Sequence, residues 1–272
     1  MKSIKWNKLR ILVTNKCNYQ CSFCHNEGQE KGVKFSMMSF DSFKMLIDFL
    51  NDQQISEINF SGGEPFLHKE IVKMICYADQ HMKCDISCAT NLSLITDEQI
   101  DILKGTRVKF NIQFPFISEK EFSKSTGTGN LYNIVIQSPD YLSIENIIRF
   151  ALENDLPLKL LPQIGLKGSN QFVYNIRPML EKNAVSFIDK GTGALKWIIQ
   201  SGDHQTSVLY IDSPCFRRDI KTCRNYGEIR VLPDFKLQSC ILKEANVQLN
   251  LDEGKDYVIN QFEGLWNDFN QC

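Results

Sequence analysis

Apolar positions along the first two-thirds of the chain keep changing period. Short β-rich runs alternate with longer segments in which apolar residues recur every three or four positions, the spacing of one helix face. The runs predict six strands, at about Lys8 to Thr14, Glu57 to Ser61, Lys83 to Thr90, Val108 to Phe114, Pro157 to Ile164 and Leu195 to Gln200. Helical spacing falls between them, over Ser39 to Asn51, Lys69 to His81, Thr96 to Lys104, Ser143 to Asn154 and Phe172 to Lys182. Ser39 before Phe40-Asp41 and Thr96 before Asp97-Glu98 stand where N-caps belong. Strand and helix in alternation are the pattern of βα units feeding a parallel sheet. Six units are too few to close an eight-stranded barrel. The expected fold is therefore α/β, a partial, open-sided (β/α)6 TIM-like barrel with its site at the C-terminal ends of the strands.

After about Ser201 the rhythm breaks. Pro214 and three cysteines, Cys215, Cys223 and Cys240, surround the segment Ile229-Arg230-Val231-Leu232-Pro233-Asp234-Phe235-Lys236-Leu237. Two alternating runs about a Pro-Asp turn predict a β-hairpin, and a last helix is expected from Gly254 to Phe269. There is no repeat, low-complexity tract or Gly/Ser linker. The chain is thus divided into residues 1–204 and a small C-terminal unit, 205–272, packed directly on the first.

Composition narrows the chemistry. Of the 272 residues 43% are hydrophobic and 23% charged, which suits one globular core with a small appendage. Lys and Arg total 31 against 32 Asp and Glu, so no broad positive field favours nucleic acid or an anionic membrane, and neither is expected as a partner. Met1-Lys2-Ser3-Ile4-Lys5-Trp6 has no apolar signal region, and no stretch approaches the roughly 20 apolar residues of a membrane span. A cytoplasmic location is expected. Ten cysteines in a reducing compartment more often bind metal or react than form disulfides.

Three of the ten lie within eight residues, directly after the first strand: Cys17-Asn18-Tyr19-Gln20-Cys21-Ser22-Phe23-Cys24. Thiolates are the usual ligands of iron-sulfur clusters, and three of them leave one iron of a four-iron cube without a protein ligand. A zinc site is the competing reading; it would need His25 as a fourth ligand, strained by its adjacency to Cys24. The C-x3-C-x2-C spacing, with an aromatic just before the third Cys, resembles the signature of the radical S-adenosylmethionine (SAM) superfamily. The resemblance implies that Cys17, Cys21 and Cys24 hold a four-iron, four-sulfur (4Fe-4S) cluster whose open iron chelates SAM, with Phe23 beside the cofactor. It also implies that one electron cleaves SAM to a 5'-deoxyadenosyl radical, which removes a hydrogen atom from a shielded substrate. A donor such as flavodoxin or ferredoxin would supply that electron.

Further segments follow the family's order. Asn59-Phe60-Ser61-Gly62-Gly63-Glu64-Pro65 ends the second strand, and in relatives this Gly-Gly-Glu element holds the SAM amino group, a role carried here to Gly62, Gly63 and Glu64. Ala89-Thr90-Asn91 closes strand three where relatives have Thr-Asn-Gly, with Leu92 in place of the glycine. Asn91, and Gln113 on strand four, are the remaining candidates for SAM. Ser125 to Asn130 resembles a glycine-rich turn of the molybdopterin-type branch, and reads equally as a helix-entry turn. The rear cysteines around a hairpin are similar to the auxiliary-cluster modules called SPASM or twitch domains. That implies a second 4Fe-4S cluster on Cys215, Cys223 and Cys240, with Cys272 as a possible fourth ligand. Buried structural thiols are the alternative. Cys76, Cys84 and Cys88 read as core, His25 as a loop-shaping residue, and His68, His81 and His204 as surface positions without metal spacing.

Fold does not settle substrate in such a family. The Cys24-His25-Asn26-Glu27-Gly28 string and the basic residues Lys159, Arg217, Arg218 and Arg230 favour a small molecule, a nucleotide among the candidates, in cofactor or natural-product biosynthesis. The tail lacks the double glycine of the GTP cyclases. The alternatives are a maturase of a ribosomally made peptide and, in a different class, a non-enzymatic electron carrier, which would need no Gly62-Gly63-Glu64.

Overall fold

The computed structural model describes residues 6–21, 24, 34–112, 141–162 and 172–271. Its main sheet has seven strands in the order β11-β10-β9-β1-β2-β3-β4. Strands β1 (Lys8–Leu12), β2 (Glu57–Ser61), β3 (Asp85–Thr90) and β4 (Lys109–Ile112) are parallel neighbours in chain order. Helices α1 (Phe40–Leu50), α2 (Ile71–His81) and α3 (Asp97–Leu103) connect them. Ser39 caps α1 by accepting from Ser42 N, and Thr96 and Gln99 form a reciprocal capping box at α3. The expected strands and caps of this half are therefore present.

The C-terminal region does not sit on this sheet as a separate layer. Strand β9 (Glu228–Val231) pairs in parallel with β1 on the side opposite β2, with Lys8 beside Glu228 and Ile11 beside Val231. Strand β10 (Lys236–Gln238) returns antiparallel to β9 through the expected Pro233-Asp234 turn, and β11 (Val247–Gln248) completes the edge. The last helix, α7 (Lys255–Asp268), buries Val258, Phe262, Leu265 and Trp266 against the same core. Trp6 stacks on Phe262 at 4.8 Å. The beginning and the end of the described chain thus build one hydrophobic cluster.

The middle of the chain builds another. A four-stranded sheet, β5-β8-β7-β6, packs its Trp197, Ile199, Val208 and Tyr210 against α4 (Tyr141–Glu153) and α5 (Phe172–Asn183). Here one expectation is corrected. Leu195 to Gln200 was to be the sixth parallel strand, but it lies inside β7 (Ala194–Ser201), which is antiparallel to both β6 (Ala184–Asp189) and β8 (His204–Ile211). The parallel partner of β5 (Leu158–Leu160) is β8. A two-residue turn at Gly202-Asp203 joins β7 to β8, with Gly202 at φ 59°. A division of the chain at residue 204 remains a proposal; the β7–β8 hairpin crosses it.

Strand periodicity separates the two faces of the main sheet. Leu9, Ile11, Ile58, Phe60, Ile86, Cys88, Ile229 and Val231 face the helices and are buried. The opposite face carries Lys8 and Arg10, Glu57 and Asn59, Asp85 and Ser87, Glu228 and Arg230. A filled TIM barrel has bulky branched residues on that inner face. Here the corresponding face is polar.

Gly227 joins the C-terminal region to β1. It ends α6 (Ile220–Tyr226) at φ 70°, and its carbonyl accepts from both Asn7 N (2.9 Å) and Lys8 N (3.0 Å). A Cβ there would lie 2.6 Å from Asn7 Oδ1. Gly227→Ala is expected to destabilise the protein by about 1–2 kcal/mol, the cost of a side chain in the left-handed region, seen as a lower urea midpoint. An unchanged midpoint would contradict this account of the turn.

Candidate active site

The cysteine loop begins where β1 ends, and backbone contacts fix its start on both sides. On one side, residues 34–38 pair with it: Asn15 N donates to Ser36 O, Asn15 Nδ2 to Lys34 O, and Ser36 N to Asn15 Oδ1. On the other side lies the end of β2. Gly63 N donates to Thr14 O and Glu64 N to Lys16 O, each at 2.8 Å. A Cβ on Gly62, which sits at φ 135°, would collide with the Thr14 carbonyl; one on Gly63 would collide with the Lys16 carbonyl and stand 2.8 Å from Cys17 N. The two glycines are needed because two backbones touch.

Glu64 completes the junction. Its carboxylate is buried and accepts from Thr90 Oγ1 (2.6 Å), Asn91 N (2.8 Å) and Phe66 N (2.9 Å), which ties the end of β2 to the end of β3. Burial pushes its pKa up, against the pull of those three hydrogen bonds. A carboxylate offers about four acceptor positions, so one is left for an ammonium group. Most of the chemistry expected of Glu64 toward a cofactor is thus already spent on architecture.

Asn91 is also buried and engaged. Its Nδ2 donates 2.9 Å to Asn18 Oδ1, and its Oδ1 accepts from Ser93 N and Ser93 Oγ. Asn18 Nδ2 returns 2.8 Å to Ser93 Oγ. The ring Asn18–Asn91–Ser93 anchors the stretch between Cys17 and Cys21 to strand β3. Neither Asn18, Thr90 nor Ser93 was singled out from the sequence; the Asn-x-Ser turn signal at Asn91 was the available clue. Leu92 has φ 57°, which explains why a glycine suits this position better than leucine.

Cys17, Cys21 and Cys24 converge on this mouth. The Cys21 thiol is pushed up to about 12, by burial first and then by Cys17 and Cys24. Three thiols that hinder one another's ionisation would lose their protons together only to a positive centre set among them. Among the described residues, however, no three His, Cys, Asp or Glu side chains gather closely enough to hold a single metal ion. Tyr19 N donates to Cys17 Sγ at 3.4 Å, a contact of the kind that tunes cluster thiolates. The donor set and the glycine-tight cradle fit a 4Fe-4S cluster. Phe23, Gln113, Cys272, His25 and the Ser125 to Asn130 turn lie outside the described residues.

Two of the rear cysteines, Cys215 and Cys223, come together near the end at which β9 begins. Cys215 follows Ser213, whose hydroxyl accepts from Cys215 N, and Cys223 lies on α6 just before β9. The Cys215 thiol is held down at about 6, chiefly by its hydrogen bond with Cys223, against burial. Cys240 is buried in the core that Cys223 packs against, and its Sγ accepts from Leu242 N at 3.4 Å. Because β10 runs antiparallel to β9, it leaves the sheet at the end where β9 begins. Cys84 and Cys88 are buried core residues, and Cys76 is half-buried.

The other expected candidates separate. Arg217 pairs with Asp212 in a surface contact, and Arg218 is exposed. Arg230 is buried on the inner face, and the Lys159 ammonium of β5 has its pKa held down by burial and by the Arg10 charge. One histidine is a correction: His68 is buried, not superficial. Its Nε2 lies 2.6 Å from Met38 O and its Nδ1 accepts from Glu70 N, clamping the turn before α2 to the segment before α1.

Comparison with known proteins agrees with this geometry. The family model described as the Radical SAM superfamily matches residues 11–152, more than half of the chain. A probable GTP 3',8-cyclase of Methanothermobacter marburgensis is 22% identical over 288 residues, covering 94% of this chain and 90% of that protein. A protein of the same name from Saccharolobus islandicus is 24% identical, covering 88% and 84%. Among solved structures, Streptococcus suis SuiB bound to S-adenosylmethionine superposes with a TM-score of 0.69 at 13% identity, covering 97% of this chain and 67% of that one.

The Gly63 contact gives a test. Gly63→Ala is expected to lower the iron bound after anaerobic reconstitution to the level of a Cys17→Ala/Cys21→Ala/Cys24→Ala variant. Wild-type iron content in Gly63→Ala would show that the loop does not depend on this contact.

Proposed function

The chain belongs to the radical SAM superfamily, enzymes that use a 4Fe-4S cluster and S-adenosylmethionine, and from that premise we propose that it acts on a small polar molecule in cofactor or natural-product biosynthesis. When bound, the cluster and SAM supply a 5'-deoxyadenosyl radical that takes a hydrogen atom from the substrate. The chain's own residues do the rest. Cys17, Cys21 and Cys24 would hold the cluster at the C-terminal mouth of the strands. Gly62, Gly63 and the remaining acceptor position of Glu64 would receive the amino group of SAM, while Thr90, Asn91 and Asn18 keep the loop in place. The inner face between Arg10, Asn59 and Ser87 would hold the substrate.

The observation that carries this reading is the polar interior directly below the cysteine loop. The relatives named GTP 3',8-cyclase cover nearly the whole chain and support a nucleotide or similar metabolite as substrate. Cys215, Cys223 and Cys240 support a second cluster at the opposite end, with a reductant such as flavodoxin or ferredoxin feeding electrons from outside.

A peptide substrate is the second reading. It is favoured by β6, an edge strand with Val185, Phe187 and Ile188 exposed, to which an extended chain could add. SuiB, also solved with its precursor peptide SuiA, supports it by likeness of fold.

Reconstituted protein with dithionite and SAM is expected to form 5'-deoxyadenosine, and the Cys17→Ala/Cys21→Ala/Cys24→Ala variant none; product from the variant would overturn the assignment of the site. That variant is also expected to keep the iron of the rear cluster, and Cys215→Ala/Cys223→Ala to lose it. Iron-free triple variant protein would argue for a single cluster. A metabolite extract treated with protease should still stimulate 5'-deoxyadenosine formation if the substrate is a small molecule. Loss of stimulation on protease treatment would favour the peptide.

A further inference from the structure

One hydrogen-bond chain on the inner face ends in an acceptor that no described residue satisfies. Asn59 of β2 stands between Arg10 of β1 and Ser87 of β3 and is 7% exposed. Its Nδ2 donates 2.6 Å to Ser87 Oγ, while its Oδ1 is buried without a hydrogen-bond partner.

The network decides which end of the amide is which. A serine hydroxyl has one hydrogen. Ser87 gives it to Glu57 Oε1 at 3.1 Å, and Glu57 is held in turn by Lys8, 3.5 Å away, whose ammonium lies 4.2 Å over the Tyr226 ring. Ser87 Oγ can therefore only accept from Asn59, which uses the amide nitrogen and leaves the amide oxygen over. The guanidinium groups of the same row do not supply a donor. Arg10 turns Nε and Nη2 to Glu228, at 3.1 and 3.2 Å, and Arg230 is buried on the far side of Arg10; neither gives Oδ1 a hydrogen bond. On the opposite face of β2, Ile58 and Phe60 belong to the hydrophobic core.

A buried acceptor left unmade costs stability, and an apolar side chain of similar shape would avoid that cost. An amide kept there against stability is the mark of a functional position. Gly62, where β2 meets the cysteine loop, follows three positions later.

Resting on the reading that the inner face holds a small substrate, we infer that Asn59 determines specificity: its Oδ1 accepts a hydrogen bond from a neutral hydroxyl or N–H group of the substrate and fixes that group beside β2. A carboxylate or phosphate oxygen at the same point would set two acceptors against each other. The donor-bearing part of the substrate, a sugar hydroxyl or a base or amide N–H, therefore faces Asn59, and any anionic part lies elsewhere.

Asn59→Leu and Asn59→Asp test this in protein reconstituted to equal iron content, with SAM and dithionite. The probe is a protease-treated metabolite extract. Melting temperature is read without extract, and 5'-deoxyadenosine formed with extract is compared with that formed without it. Asn59→Leu removes the stranded oxygen, so it is expected to melt at or above the wild-type temperature while losing the stimulation by extract roughly tenfold or more. Asn59→Asp keeps an acceptor at this point and should retain several times more stimulation than Asn59→Leu. The inference is overturned, with the small-substrate reading intact, if extract stimulates wild type and Asn59→Leu alike, or if Asn59→Asp is stimulated no better than Asn59→Leu. It is also overturned if Asn59→Leu melts about 2 °C or more below wild type, the shift of a structural side chain lost. Extract that fails to stimulate wild type overturns the small-substrate reading and the inference together.

Discussion

Two strand ends pressed backbone to backbone are the contact on which the site depends. Hydrogen bonds from Gly63 and Glu64 to the carbonyls of Thr14 and Lys16 can form only if residues 62 and 63 lack side chains, since the space a Cβ needs is occupied by those carbonyls. With that contact made, Glu64 is buried and must be satisfied, and Thr90, Asn91 and Phe66 satisfy it. Asn91 in turn holds Asn18, which lies between Cys17 and Cys21. One steric requirement at the end of β2 thus propagates through β3 to the cysteine loop. The pieces that look like separate motifs along the sequence are one interlocked structure.

The second determinant is the asymmetry of the sheet. Every strand that enters the helix-facing core does so with Ile, Leu, Val or Phe, and burial of those side chains is the main source of stability for the fold. The same strands carry Lys, Arg, Glu, Asp, Asn and Ser on the other side. Such a face cannot close on itself as a dry core without a heavy desolvation cost, so the interior stays wet and paired.

Much of the first half was legible in the sequence because local and global signals coincide there. Glu57 to Ser61 alternates and ends in Gly-Gly, and Thr96 carries both a cap and the Gln99 that completes its box. The misread element was Leu195 to Gln200. An apolar run of that length is equally a parallel core strand or the middle of an antiparallel sheet, and periodicity alone does not choose between them. The arbiter was Gly202-Asp203, a two-residue hairpin signal between two runs. His68 was hidden for a different reason: its role is to bridge Met38 O and Glu70 N, and a clamp between two segments leaves no spacing rule behind. The amide and hydroxyl partners Asn18 and Ser93 were obscure for the same reason.

The position of β9 bears on how the two groups of cysteines relate. A C-terminal unit that merely packed beside the barrel would put its thiols anywhere on the surface. Because β9 is instead hydrogen-bonded along β1, the register fixes Glu228 beside Lys8, and hence places Gly227, α6 and Cys223 at the end of the sheet where strands begin. Cys17, Cys21 and Cys24 emerge from β1 at the end where strands finish. Cys17 and Cys223 therefore lie toward opposite ends of the strands, with the Arg10–Glu228 pair between them. The parallel pairing of β1 with β9, more than any single side chain, fixes where Cys223 stands along the sheet relative to Cys17.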